Sequence, residues 1–329
     1  MSVCGLVLLA TSYGLAAPDG DRKEIGESVG IAVLGDSYSD EYAYESDGRS
    51  QARNWVEILA QTRGLDFGEI SQASRGEPRR AGFANVWARS AATTSDLLEQ
   101  QQHLGAAQQA AEGRIGLAVI FIGGNDFIDW LETPEAPESA DAIAAHACAN
   151  VDEAVRVLLA SAPSLRILLV TVPDLFELPE LSALASKGQI AASRVAASRE
   201  ALGRFNAHLL TWPRRDPRVS AADFAGFSRV GSLISPRWIQ VGSVRLRREA
   251  AGLEQDAAFL PDGRHAGTLL QGMLAQLLLQ AIDRQIDPPL PPLNGVEIVD
   301  FADAMARQGS AVVPVITVGT VPGEGLKSP

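Results

Sequence analysis

Three stretches of the chain are apolar at nearly every position: residues 31–34, 117–122 and 167–172. Runs this short, without alternation, suit strands buried on both faces of a parallel sheet. A weaker strand candidate lies near residues 65–70. Between them the apolar positions fall at helical spacing. Residues 54–62 carry Trp55, Ile58 and Leu59, and residues 143–161 carry Val151, Val155, Leu158 and Leu159. Residues 190–210 are alanine-rich with the same period. Strand and helix in alternation predict an α/β fold, a parallel sheet covered by helices on both faces.

After residue 220 the pattern loosens. The partial alternation over residues 238–244 predicts a hairpin or an excursion near a site, and residues 268–282 predict a strong closing helix. Asp287-Pro288-Pro289-Leu290-Pro291-Pro292 then breaks the helical pattern, because proline lacks an N–H and blocks helix. Residues 285–296 therefore read as a linker. The tail, 297–329, holds a short helical piece at 301–307 and an extended apolar piece at 311–318, with packing back on the domain as the default expectation.

At the other end, residues 3–16 are almost wholly apolar or small, and Gly14-Leu15-Ala16 offers small residues for cleavage. The expectation is a signal peptide over 1–17, a lead-in over 18–30, one domain over 31–284, and export to the periplasm or the extracellular space. No basic residue precedes the apolar run, which departs from the usual signal pattern. The run is shorter than the roughly 18 residues of a spanning helix, so no stable membrane insertion is expected. With Cys4 in the removed segment, Cys148 would stand alone, a small residue in a helix rather than a reactive thiol.

Composition narrows the partners. The 329 residues are 46% hydrophobic and 21% charged, ordinary for a folded chain. A net charge of -12 disfavours nucleic acid and anionic lipid. Arg214, Arg215 and Arg218, and Arg245, Arg247 and Arg248, form local basic groups that read as solvated faces.

Three short segments carry candidate chemistry. Ser37 follows the first strand in Gly35-Asp36-Ser37, where ligands of open α/β sheets bind. A helix after it would add N–H groups, although Asp36 and Ser37 equally suit a plain helix cap. Gly123-Gly124-Asn125-Asp126 ends another buried strand, and the Asn125 amide is placed to meet a developing oxyanion. Asp262-Gly263-Arg264-His265 precedes the closing helix and offers a base and its orienting carboxylate from one segment. Of the four histidines, His103, His146 and His208 lie in polar or alanine-rich helical stretches and read as structural.

Together, in this order and at strand ends, these segments resemble the first, third and last blocks of the SGNH (GDSL-type) hydrolase family. The resemblance spans residues 31–282 and implies a three-layer α/β/α sandwich of flavodoxin-like topology with an open groove at the carboxyl edge of the sheet. It also implies an ester-hydrolysing enzyme without metal or organic cofactor. Ser37 would be the nucleophile, His265 the base and Asp262 its orienter. Ser37 and Ala91 would supply backbone N–H groups to the oxyanion and Asn125 its amide, with Asp36 and Gly124 in support. The second block departs from the family: residues 87–94 align with it, but Ala91 stands where a glycine is expected, and Asn85 falls one place early. Alanine keeps the N–H but resists positive φ.

The implied substrate is a small-molecule, carbohydrate or lipid ester. Trp87, Trp130, Trp212 and Trp238 offer stacking faces for sugar but more commonly serve as core, and no clear amphipathic lid is legible. Two rivals stand beside this reading. The same fold can carry a silent carbohydrate-binding or interaction site, which the glycine-to-alanine change favours. A metal-dependent phosphoesterase using Asp36, Asp40, Asp126 and Asp262 would ordinarily want more histidines than this chain offers. Oligomeric state is not legible.

Overall fold

The apolar runs become the centre of a parallel sheet. In the computed structural model, which describes residues 29–45, 48–71, 81–136, 138–286 and 289–308, the strands are β1 (Ile31–Gly35), β2 (Ile70–Ser71), β3 (Gly82–Phe83), β4 (Leu117–Phe121), β5 (Arg166–Val170), β6 (Val219–Ala222), β7 (Trp238–Val241), β8 (Val244–Ala251) and β9 (Ala257–Phe259). The helices are α1 (Trp55–Arg63), α2 (Thr94–Glu99), α3 (Gln102–Ala111), α4 (Gly124–Glu132), α5 (Ala140–Ser161), α6 (Pro179–Ser186), α7 (Ala192–Leu209), α8 (Phe224–Ile234), α9 (Thr268–Asp283) and α10 (Gly295–Gln308).

β1, β4, β5 and β6 lie side by side in that order, all parallel, with Val33 beside Val119 and Val119 beside Leu168. Every residue of β1 and β4 is buried, which is why neither alternates in sequence. α5 packs between α3 and α7, and α9 packs between α1 and α10. The result is the expected three-layer α/β/α sandwich. Its winding is completed on the free side of β1 by residues 85–89. The Val33 N–H donates to the Asn85 carbonyl at 3.0 Å, Trp87 N–H to Val33 at 2.7 Å and Arg89 N–H to Gly35 at 3.0 Å. Spatial order 85–89, β1, β4, β5, β6 is the flavodoxin-like order.

The strand candidate at 65–70 contributes only β2, paired antiparallel with β3. The sheet position expected of it is taken by 85–89, where Asn85 and Arg89 interrupt the apolar pattern. The helix read over 54–62 is α1, which starts on an Asn54–Glu57 capping box; of the two readings of 238–244 the hairpin is the one found, as β7 and β8, and the helix read over 268–282 is α9.

The proline-rich stretch is fastened rather than slack in its described part. The Arg63 guanidinium donates to the Pro291 carbonyl at 2.7 Å and the Pro292 carbonyl at 2.9 Å, and pairs with Glu297 at 2.9 Å. Leu293 is fully buried, and Ile298 packs on Gly272 of α9. The helical piece expected at 301–307 is the end of the longer α10. The expected signal peptide and the apolar piece at 311–318 lie outside the described residues.

Candidate active site

β1 ends on Gly35, whose backbone runs so close to β4 that a Cβ there would sit 2.2 Å from the Phe121 carbonyl oxygen. Only glycine fits. The buried Gln102 side chain clamps the same residue from α3: its Oε1 accepts from Gly35 N–H at 2.9 Å and its Nε2 donates to Gly35 O at 3.1 Å. No α-helix starts at Ser37; a single 3-10 turn, Tyr42–Tyr44, comes five residues later. The chain instead makes one tight turn, in which Asp36 O accepts from the N–H groups of Ser39 and Asp40, and Asp36 Oδ1 accepts from Tyr38 N–H at 3.0 Å. The next α-helix is α1, so the expected helix N-terminus behind Ser37 is absent, and with it the plain helix-cap reading.

The last block reaches Ser37 across 228 positions. His265 Nε2 lies 2.8 Å from Ser37 Oγ, and His265 Nδ1 lies 2.6 Å from Asp262 Oδ2. An ionised carboxylate only accepts, so Nδ1 carries the ring proton and Nε2 faces the serine as acceptor. Asp262 Oδ1 also accepts from the N–H groups of Arg264 at 2.8 Å and His265 at 2.9 Å. Partial burial opposes ionisation of Asp262. The His265 ring and these N–H groups outweigh it and hold the carboxyl down at about 2. Arg264 moors the turn by pairing with Glu180 of α6 at 2.6 Å and Glu132 of α4 at 2.5 Å, and its carbonyl accepts from Tyr38 Oη at 2.9 Å.

The glycine block and the second block are stapled together. Asn125 Nδ2 donates to the Ala92 carbonyl at 2.9 Å, which leaves its second N–H. The Asp126 carboxylate accepts from Thr94 N–H at 2.9 Å and from its hydroxyl at 2.5 Å. Gly123, which precedes α4, has φ 115° and lies under the Phe205 ring. Ala91 has φ 64°, so the alanine adopts the left-handed conformation its methyl resists. Asp36, Ser37, Gly124 and Asn125 line one cleft, and Ala91 is held beside Asn125 through Ala92. Burial pushes Asp36 up to about 7, with the Asp126 and Asp40 charges adding and the Tyr38 N–H opposing, and pushes Asp126 up to about 6.

The cleft has a volume of about 770 Å³ and is walled largely by Phe121, Val172, Leu175, Phe176 and Phe224. One wall is α8, whose Phe227, Val230 and Ile234 are both cleft-lining and exposed. No amphipathic lid was legible in the sequence, and α8 is the amphipathic helix found at this mouth. Its period was obscured by Gly226, Gly231 and two serines. Of the tryptophans weighed as sugar platforms, Trp130 and Trp212 are buried, Trp87 donates its ring N–H to Gln109, and only Trp238 lines the cleft. His103 is buried against the Leu97 carbonyl, His208 pairs with Asp152, and His146 is exposed on α5. Cys148, partly buried on α5, has its thiol pushed up to about 11 by desolvation.

Asp36, Asp40, Asp126 and Asp262 are each engaged by the protein's own donors. Among the described residues, no three His, Cys, Asp or Glu side chains gather in a metal-binding group. Sequence reasoning had no means to find Gln102, 67 positions from its partner Gly35. Arg264 stood inside a recognised block without an assigned part.

A four-stranded parallel sheet between helices, with this cleft at its carboxyl edge, defines a three-layer α/β/α fold. The family of GDSL-like lipases and acylhydrolases matches residues 33–231, and the chain belongs to it; it is an ester-hydrolysing enzyme. The match includes Ser37, Ala91 and Asn125 and stops short of Asp262 and His265. Among solved structures, the lipase Lip_vut3 from a goat rumen metagenome is 15% identical (TM-score 0.47, 77% of this chain, 97% of that one). Phospholipase A1 of Streptomyces albidoflavus NA297 is 18% identical (TM-score 0.42, 74% and 98%). The family 3 carbohydrate esterase of Clostridium thermocellum is 11% identical (TM-score 0.43, 79% and 98%). No curated protein matches the sequence.

Proposed function

We propose that the chain hydrolyses carboxylic esters through Ser37, with His265 as general base and Asp262 as its orienter. The observation that carries this is the unbroken chain from Ser37 Oγ to His265 Nε2, 2.8 Å, and from His265 Nδ1 to Asp262 Oδ2, 2.6 Å. Ser37 attacks the acyl carbonyl as His265 takes its proton. The oxyanion is met by the N–H groups of Ser37 and Ala91 and the free Asn125 amide N–H. Collapse of the tetrahedral intermediate passes the proton to the leaving alcohol. Water, activated by the same imidazole, then releases the acid.

The lining by Phe121, Val172, Leu175 and Phe176 supports an ester with an apolar acyl chain over an acetylated sugar. We further propose export, on the apolar segment at residues 3–16.

The test is labelling by a fluorophosphonate, read by intact mass. One adduct is expected on the wild type and none on Ser37→Ala. A folded wild type that takes up no label would sink the serine mechanism and favour a silent binding site.

A further inference from the structure

α8 is built inside out. Its Ser228 and Ser232 hydroxyls point to the body of the protein, where both donate to the Glu177 carboxylate, the second at 2.8 Å. The opposite face carries Phe227, Val230, Leu233 and Ile234, spaced three or four apart, and all four are exposed. Leu233 is 78% exposed. None of the eleven residues of α8 is buried. An ordinary surface helix turns its apolar stripe to the core, and one this short has little stability without such packing.

Exposed arginines are concentrated in this segment of the chain. Residues 224–251 contain Arg229, Arg237, Arg245, Arg247 and Arg248 against a single carboxylate, Glu249, in a chain whose net charge is -12. Arg248 is held at the end of α8 by the Ser235 carbonyl at 2.9 Å, and Arg247 pairs with Asp256. Arg229, Arg237 and Arg245 are exposed. The chain as a whole repels anions, but this segment does not.

We propose that the outer face of α8, with the arginines of α8 and the β7–β8 hairpin, docks onto a lipid surface bearing anionic headgroups. An apolar stripe fringed by arginine lies in the plane of such an interface, the side chains entering the acyl boundary and the guanidinium groups meeting phosphate. A second copy fits the face less well. A two-fold contact would set arginine against arginine, and a permanent cover would close the cleft that Phe227, Val230 and Ile234 line. A reversible lipid contact brings the cleft mouth to the layer holding apolar esters. Only that last consequence rests on the serine-esterase mechanism.

The experiment is co-sedimentation of full-length Ser37→Ala, which cannot consume the lipid, with phosphatidylcholine vesicles made with and without phosphatidylglycerol. Binding is expected to the anionic vesicles. Leu233→Ser, outside the cleft lining, should weaken it by about tenfold. Arg229→Glu with Arg237→Glu should remove the preference for phosphatidylglycerol. On the Ser37 background, Leu233→Ser should cleave a soluble short-chain aryl ester as the wild type does. No binding to either vesicle, or undiminished binding by Leu233→Ser, overturns the proposal. So does a dimer that Leu233→Ser splits, since the occupant is then a second copy. Vesicle binding without fluorophosphonate labelling of the wild type would keep the docking surface and discard the serine mechanism.

Discussion

At Ala91 a side chain sits where its backbone favours none. Its φ of 64° lies in the left-handed region, and a methyl there costs about 1–2 kcal/mol. The neighbouring staples, Asn125 to Ala92 and Thr94 to Asp126, hold the loop in that shape nonetheless. If Ala91 holds the glycine position that the family resemblance implies, the alanine raises the cost of the loop without preventing its left-handed turn. Ala91→Gly should raise stability by about 1 kcal/mol, read as a higher denaturation midpoint, with ester turnover at or above the wild-type rate. Lost turnover with intact folding would show that the methyl itself helps shape the acyl pocket. The conflict between alanine and positive φ was legible in the sequence. That the loop adopts positive φ regardless was not, because the staples that enforce it join residues more than thirty positions apart.

Elements announced themselves in proportion to how completely they are buried. β1, β4 and most of β5 are apolar throughout, so the strands, and the ends on which Ser37 and Asn125 stand, could be read directly. Segment 85–89 could not, since it joins the sheet through backbone bonds to Val33 and Gly35 without an apolar run. α8 failed for the opposite reason: its stripe faces outward, where no core explains it. The residues after Asp287 read as a tether because proline dominates them, yet Leu293 is fully buried and Arg63 grips the preceding carbonyls. Leu293→Ala should accordingly lower unfolding free energy by about 2–4 kcal/mol in chemical denaturation, where a residue in a free linker would change it by less than about 0.5.

Across the whole molecule, burial and charge pull stability toward mild acid. Asp36 and Asp126 have carboxyls raised to about 7 and about 6 from an ordinary value near 3.8. Folding therefore takes up protons between those limits, and stability falls as pH climbs from about 4 to 7. Asp262, held at about 2, has the opposite sign: its contribution is present above the ordinary value and is lost as pH falls toward 2. Forty acidic residues against 28 basic ones add self-repulsion as pH rises. The melting temperature should peak near about pH 4 and fall steadily as pH rises to about 7. Asp36→Asn should flatten that decline in calorimetric scans, and an unchanged slope would mean Asp36 is ionised in the folded state. One further consequence follows from the reach of 228 positions between Ser37 and His265. A nascent or refolding chain holds its serine long before it holds the imidazole beside it, and contacts between such distant segments are slow to form. Hydrolysis, on the mechanism proposed, switches on only once both ends of the domain have docked. The enzyme is thus its own chaperone assay: the lag before first turnover times the closing of the fold.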